Sequence, residues 1–140
     1  MTEARILYVD GEPDSRDIGM MALEVGPEIE ARSCSSGREA LGEAAVWKPD
    51  LILLDVMMPE MDGPETLRRL RESEETDGIP VVFITARTQA AEVQRFLGLG
   101  ARGVIAKPFD PMELAGEARK YLGTDAEQMS GKRAGGATAG

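Results

Sequence analysis

Ile6-Leu-Tyr-Val9, Leu51-Ile-Leu-Leu54 and Val81-Val-Phe-Ile84 are short unbroken apolar runs, and Gly103-Val-Ile-Ala106 is a weaker one. Unbroken rather than alternating hydrophobicity marks a strand covered on both faces, as in a parallel sheet. The stretch from Glu28 to Cys34 alternates and is more polar, which predicts an edge strand. Between the runs, apolar residues recur at helical spacing: Ile18, Met21, Ala22 and Val25; Ala40, Leu41, Ala44 and Trp47; Leu67 and Leu70; Val93, Phe96 and Leu97; Leu114, Ala118 and Leu122. Ser36-Gly-Arg-Glu39 reads as a capping box. Asp110-Pro-Met-Glu113 joins an N-cap aspartate, a proline at the first helical position and a glutamate that reaches back. Strand and helix in repeated alternation, with short connections, predict a doubly wound α/β fold with right-handed crossovers. The periodicity stops at Gly123, so residues 1–122 are expected to form one domain and the Gly/Ala-rich residues 123–140 a flexible tail.

Composition narrows the function. The length of 140 residues suits one core, and 42% hydrophobic with 29% charged residues is an ordinary globular balance. A formal net charge of −9 repels phosphate backbones and anionic membranes, so neither nucleic acid nor a membrane is an expected partner. No apolar run reaches the length of a membrane span, and Met1-Thr-Glu-Ala-Arg5 leads straight into a strand, which makes the cytoplasm the expected location. The single Cys34 suits a reducing compartment and reads as a small buried residue. Histidine is absent, which removes the commonest general base and the usual zinc ligand. Any chemistry must rest on carboxylates, hydroxyls and lysine.

Four polar residues stand where apolar runs end: Asp10 after the first, Asp55 after the third, Thr85 closing the fourth and Lys107 after the fifth. Open α/β sheets bind ligands outside the carboxyl ends of their strands. A carboxylate there can become an aspartyl phosphate. Further acids and backbone carbonyls can hold a magnesium ion, while a lysine and a threonine hydroxyl address the phosphoryl oxygens.

With Ile-Leu-Tyr-Val-Asp10, Leu-Leu-Asp55-Val-Met-Met-Pro59, Met-Asp-Gly63, Phe-Ile-Thr85-Ala and Ala-Lys107-Pro-Phe109 in this order, the chain resembles the receiver domains of two-component response regulators from Arg5 to Leu122. The resemblance implies a flavodoxin-like five-stranded sheet in the order 2-1-3-4-5, which sets Asp10 beside Asp55. It also implies a cis Lys107-Pro108 bond that sets the Lys107 ammonium in the crevice. It further implies a phosphoryl group passed to Asp55 from a sensor histidine kinase or phosphotransfer protein. Thr85 and Lys107 then engage that group, and the face of the fourth helix, fifth strand and fifth helix meets a downstream protein. Magnesium would be held by Asp10, Asp55 and the backbone carbonyl of Met57. The implied role is a stand-alone phosphoacceptor that assists its own magnesium-dependent phosphorylation and dephosphorylation without being an enzyme in its own right; a homodimer stays open.

Two positions depart from the family pattern. Receivers usually carry two consecutive acids after the first strand, whereas here Asp10-Gly11-Glu12 has glycine at the second position. Magnesium should therefore bind weakly unless Glu12 turns inward to serve as a ligand. Val104 stands where the family often has an aromatic residue that turns inward on activation, so coupling to the distal face should weaken. Both departures favour an alternative, a degenerate receiver that binds partners without phosphorylation. An aspartyl-phosphate phosphatase would need an aspartate at Met57, and a flavodoxin relative would need a phosphate-cradling loop in place of Asp10-Gly-Glu-Pro13. Taken singly, Asp110 is a helix cap, Thr85 a strand residue and Lys107 a solvated charge; only the joint spacing makes Thr85 and Lys107 site residues. Met20-Met21 and Met57-Met58 read as soft core filler and loop packing, Trp47 as the anchor of the second helix, and the acidic run from Glu72 to Asp77 as solvated.

Overall fold

The structure, a computed structural model, describes residues 3–122, so the expected tail at 123–140 lies outside the described residues. The elements run β1 (Ala4–Val9), α1 (Pro13–Glu24), β2 (Ile29–Cys34), α2 (Gly37–Trp47), β3 (Leu51–Asp55), α3 (Gly63–Arg71), β4 (Val81–Thr85), α4 (Ala90–Gly98) and β5 (Gly103–Ala106). A last helix, α5, covers residues 114–122. All strand pairs are parallel and the order is β2-β1-β3-β4-β5, as the resemblance implied. β2 starts at Ile29 because Glu28 adopts a left-handed turn conformation, φ 65°, at the strand entrance.

Alternation along the strands divides the core in two. Leu7, Val9, Ile52, Leu54, Val81 and Phe83 face Ala40, Ala44, Trp47, Leu67, Leu70 and Phe96 of α2, α3 and α4. Ile6, Tyr8, Leu51, Leu53, Val82 and Ile84 face Ala22, Leu23, Leu114, Ala115 and Ala118 of α1 and α5. Every residue of β3 and of β4 is buried, which is the meaning of their unbroken hydrophobicity. Full burial of each such Val, Leu, Ile or Phe stabilises by about 1.5–3 kcal/mol.

α1 packs differently from its sequence pattern. Gly19, Ala22 and Leu23 are its buried residues, while Ile18, Met21 and Val25 are 47%, 67% and 65% exposed. The reason is Tyr8, whose ring lies directly under Gly19 so that a Cβ there would overlap it. The helix presents small residues over that ring, with Leu23 buried beyond it, and Ile18, Met21 and Val25 form an outward stripe. The methionines divide likewise: Met58 is buried and Met20 packs against the core, but Met21 and Met57 face solvent.

The caps form with changed partners. Ser36 Oγ accepts from the Glu39 amide at 3.1 Å, yet the Glu39 carboxylate accepts from the amide and hydroxyl of Ser35, one residue earlier than the box requires. Those bonds from Ser35 lower the Glu39 pKa. Asp110 accepts from the Met112 amide at 2.9 Å, and what returns to Asp110 is the amide of Glu113. Pro111 therefore lies in a turn that precedes α5 rather than at its first position. Trp47 ends α2 as a buried anchor with the Arg32 guanidinium 4.5 Å over its ring. Glu72, Glu74, Glu75 and Asp77 are exposed. Cys34 is buried, and desolvation, aided by Glu39 and Glu43, pushes its thiol up to about 12, far from reactive thiolate character. No helix among the described residues is long and apolar enough to cross a membrane.

Candidate functional site

β1 and β3 are neighbours in a register that pairs Val9 with Leu54, so the residues that follow each, Asp10 and Asp55, emerge side by side at the carboxyl edge. Asp55 is the last residue of β3 itself and is 6% exposed; Asp10 is wholly buried. Lys107 follows β5, whose neighbour β4 ends in Thr85. Its ammonium lies 2.9 Å from Asp10 Oδ2 and 3.6 Å from Asp55 Oδ2. One cation thus bridges two buried carboxylates contributed by the first and third strands.

Asp10 is held by its surroundings. Its Oδ1 accepts from the Glu12 amide at 2.9 Å, while its Oδ2 accepts from Lys107 and, at 3.4 Å, from the hydroxyl of Tyr8. Asp55 is less satisfied. Burial pushes its pKa up to about 6, and the adjacent Asp10 charge adds to the rise; Lys107 and a hydrogen bond from the Met57 backbone oppose it. For Lys107, burial works against the charged form, but the Asp10 and Asp55 carboxylates outweigh it and raise its pKa. A carboxylate with a raised pKa, beside a cation in an open crevice, has the character of a nucleophile awaiting an electrophile.

The loop that follows β3 packs tightly on the strand end. Gly63 donates to the Val56 carbonyl at 2.9 Å, and a Cβ on Gly63 would stand 2.6 Å from the Asp55 carbonyl oxygen. Only glycine lets the β3–α3 loop fold this closely over the strand end. Asp62 and Pro64 then start α3, with Asp62 Oδ1 accepting from the Glu65 amide. The Lys107-Pro108 bond is cis. Thr85 is buried, and its Oγ1 accepts from the Arg87 amide at 3.0 Å, which turns it toward its own loop.

The structure therefore brings Asp10, Asp55 and Lys107 together, with Thr85 closing the adjacent strand. Glu12 stands apart: it is exposed, N-caps α1 with no side-chain cap bond, and gives Asp10 only its amide. Among the described residues, no three Asp, Glu, Cys or His side chains converge as a metal site. Two buried carboxylates and backbone carbonyls are hard oxygen donors of the kind magnesium takes, so the residues fit such an ion with a reduced set of carboxylates. Sequence patterns missed Tyr8 and Arg16. The Tyr8 hydroxyl inside an apolar strand was the available signal for the first; the Arg16 guanidinium, which donates to the Asp10 carbonyl at 2.9 Å, left none.

Comparison with known proteins places the fold and its family. The family model of the response regulator receiver domain matches residues 6–119. The DNA-binding response regulator MtrA of Mycolicibacterium smegmatis is 36% identical over 118 residues, which cover 84% of this chain and 50% of that protein. Response regulator Rre1 of Synechocystis is 33% identical over 117 residues, 84% of this chain and 51% of that protein. The chain thus spans about half the length of these curated relatives. The solved structure of the chemotaxis response regulator CheY4 of Vibrio cholerae superposes with a TM-score of 0.79 at 30% identity, covering 86% of this chain and 99% of that one. With the family model matching most of its length, the chain belongs to the response regulator receiver domains of two-component systems.

Proposed function

We propose that this chain accepts a phosphoryl group on Asp55 from a histidine kinase or a histidine phosphotransfer protein and signals the modified state by protein contact. The observation that carries the reading is the Lys107 ammonium lodged between Asp10 and Asp55 at the carboxyl edge of the sheet. Receiver domains in general are phosphoacceptors rather than enzymes acting on a separate substrate. Here Asp55 Oδ attacks phosphorus, the P–N bond to the donor imidazole breaks with its electron pair leaving on nitrogen, and an acyl phosphate remains. Lys107 moves from Asp10 to a phosphoryl oxygen. The Thr85 hydroxyl, now an acceptor from Arg87, turns to donate to another.

Receiver domains generally bind magnesium at the acidic pocket. In this chain the Asp10 and Asp55 carboxylates and the Met57 carbonyl would hold it, and the ion would shield the charge of the incoming phosphoryl group. Gly11 removes one carboxylate from that set, so binding is weaker than with two consecutive acids. Ile18, at one end of the outward stripe on α1, lines with Ser15, Lys107, Pro108, Phe109 and Pro111 a cavity of about 190 Å³. This apolar surface next to Lys107 supports donor docking there. The face of α4, β5 and α5 serves the downstream protein.

A second reading, a constitutive binding module, is favoured by one observation: Glu12 does not join Asp10 and Asp55. Incubation with acetyl phosphate, with and without magnesium, followed by intact mass, separates the two. Phosphorylation gives a magnesium-dependent gain of one phosphoryl group that disappears in Asp55→Asn. No adduct at any magnesium concentration would leave the binding module.

A further inference from the structure

The segment Asp10-Gly11-Glu12 is the part of the pocket where this chain departs from its family, and it is closed by one side chain from outside it. Arg16, in the first turn of α1, donates from Nη1 to the Asp10 carbonyl at 2.9 Å and from its backbone amide to the Glu12 carbonyl at 2.9 Å. The side chain therefore holds the carbonyl ahead of Gly11, while the bond to Glu12 is the first backbone turn of α1. The Glu12 amide completes the loop by donating to Asp10 Oδ1 at 2.9 Å. Arg16 is half-buried.

Gly11 itself has no steric reason to be glycine. A Cβ there would meet Pro59 Cδ at 3.6 Å and Met58 Cγ and the Ser35 carbonyl at 3.8 Å, ordinary van der Waals contacts, and its φ lies outside the left-handed region. The residue contributes backbone freedom at a place where Asp10 has to be held still.

We infer that Arg16 is a positioning residue for phosphorylation of Asp55: by holding the Asp10 carbonyl ahead of Gly11 with its guanidinium, it fixes the loop that aims Asp10. It touches neither the phosphoryl group nor the attacking oxygen. The inference deepens the phosphoacceptor reading and rests on it for its kinetic consequence, while the loop restraint is a property of the folded chain alone.

The test is a double-mutant cycle of Arg16→Met and Gly11→Ala, read by the rate of Asp55 phosphorylation from acetyl phosphate at fixed magnesium and by hydrogen exchange of the Glu12 amide. With glycine at position 11, Arg16→Met is expected to slow phosphorylation about tenfold, the worth of one charge-assisted hydrogen bond, and to speed exchange at Glu12. In the Gly11→Ala background both effects should shrink to about twofold, because alanine restricts the loop by itself. Arg16→Lys, which keeps the cation, should recover part of the rate. The inference is overturned if Arg16→Met changes neither reading, or if its effect is as large in the Gly11→Ala background as in the parent. Should Arg16→Met not fold, Arg16→Lys carries the same comparison, with a smaller penalty that must again shrink when combined with Gly11→Ala. If the unaltered protein takes up no phosphoryl group, the functional reading fails, and Glu12 exchange alone decides the loop restraint by the same criterion.

Discussion

The two ends of the carboxyl edge are built differently. At the β1–β3 end, Asp10 receives hydrogen bonds from three residues on its carboxylate and a fourth on its carbonyl, and Gly63 presses the following loop against Asp55. At the β4–β5 end, α4 starts with no side-chain cap and buries Phe96 as its single anchor, with Leu97 and Leu99 left at the surface. α2, of similar length, buries Gly37, Ala40, Ala44 and Trp47 and is capped by Ser36. Fixed charges must be in place before a phosphoryl group arrives, whereas a surface that reports its arrival needs low local stability. Thr85 lies at the seam, as the last residue of β4 and the start of the loop to α4.

The largest effect expected from breaking this contrast is at Phe96. Its ring packs on Phe83 with centroids 5.0 Å apart. Phe96→Ala should cost about 3–5 kcal/mol in urea unfolding and leave amides 90–98 open to exchange. A loss below about 1 kcal/mol would mean that α4 is held by something other than this ring.

Asp55→Asn should act in the opposite direction. The folded pKa of Asp55 stands at about 6, above the ordinary carboxylate value of 3.8. The native state therefore holds a proton that the unfolded chain releases, and stability falls as pH rises between these values. Asparagine avoids that cost but gives up the attraction of Lys107, so the variant should be more stable by about 1–2 kcal/mol at pH 8 and equal to the parent below about pH 4, by denaturation across pH. The same titration has Asp55 ionise near pH 6, so on the proposed function phosphorylation should accelerate as pH rises through that value.

Gly11→Asp sharpens the comparison at the rigid end. Its Cβ has room, and a third carboxylate should tighten magnesium by about tenfold or more, or about 1.4 kcal/mol, measured by titration calorimetry. Smallest is Val104→Tyr at the half-buried middle of β5. Stability should change by less than about 1 kcal/mol, while the exchange difference across α4 between free and phosphorylated protein grows.

Much of this was legible in the residues. Apolar runs that stop at Val9, Leu54, Ile84 and Ala106 locate the strand ends, and a parallel sheet does the rest by gathering those ends at one edge. The facing of α1 was not legible, because it depends on the bulk of Tyr8 beneath Gly19, a contact made across the sheet surface. Neither was the direction of Glu12, which follows from its extended N-cap backbone, φ −93° and ψ 122°, ahead of Pro13. The reach of Arg16 was not legible either, since an arginine on an exposed helix pattern differs from a solvated one only in what it touches.

The most direct measurement is peptide-level amide exchange on protein treated with acetyl phosphate and magnesium, with intact mass taken on the same sample and Asp55→Asn alongside. A single phosphoryl adduct should appear with altered exchange across residues 86–98 and little change in β1 and β3. An adduct that leaves residues 86–98 untouched, or the same exchange change in Asp55→Asn, would contradict the link between the charged pocket and the α4 surface.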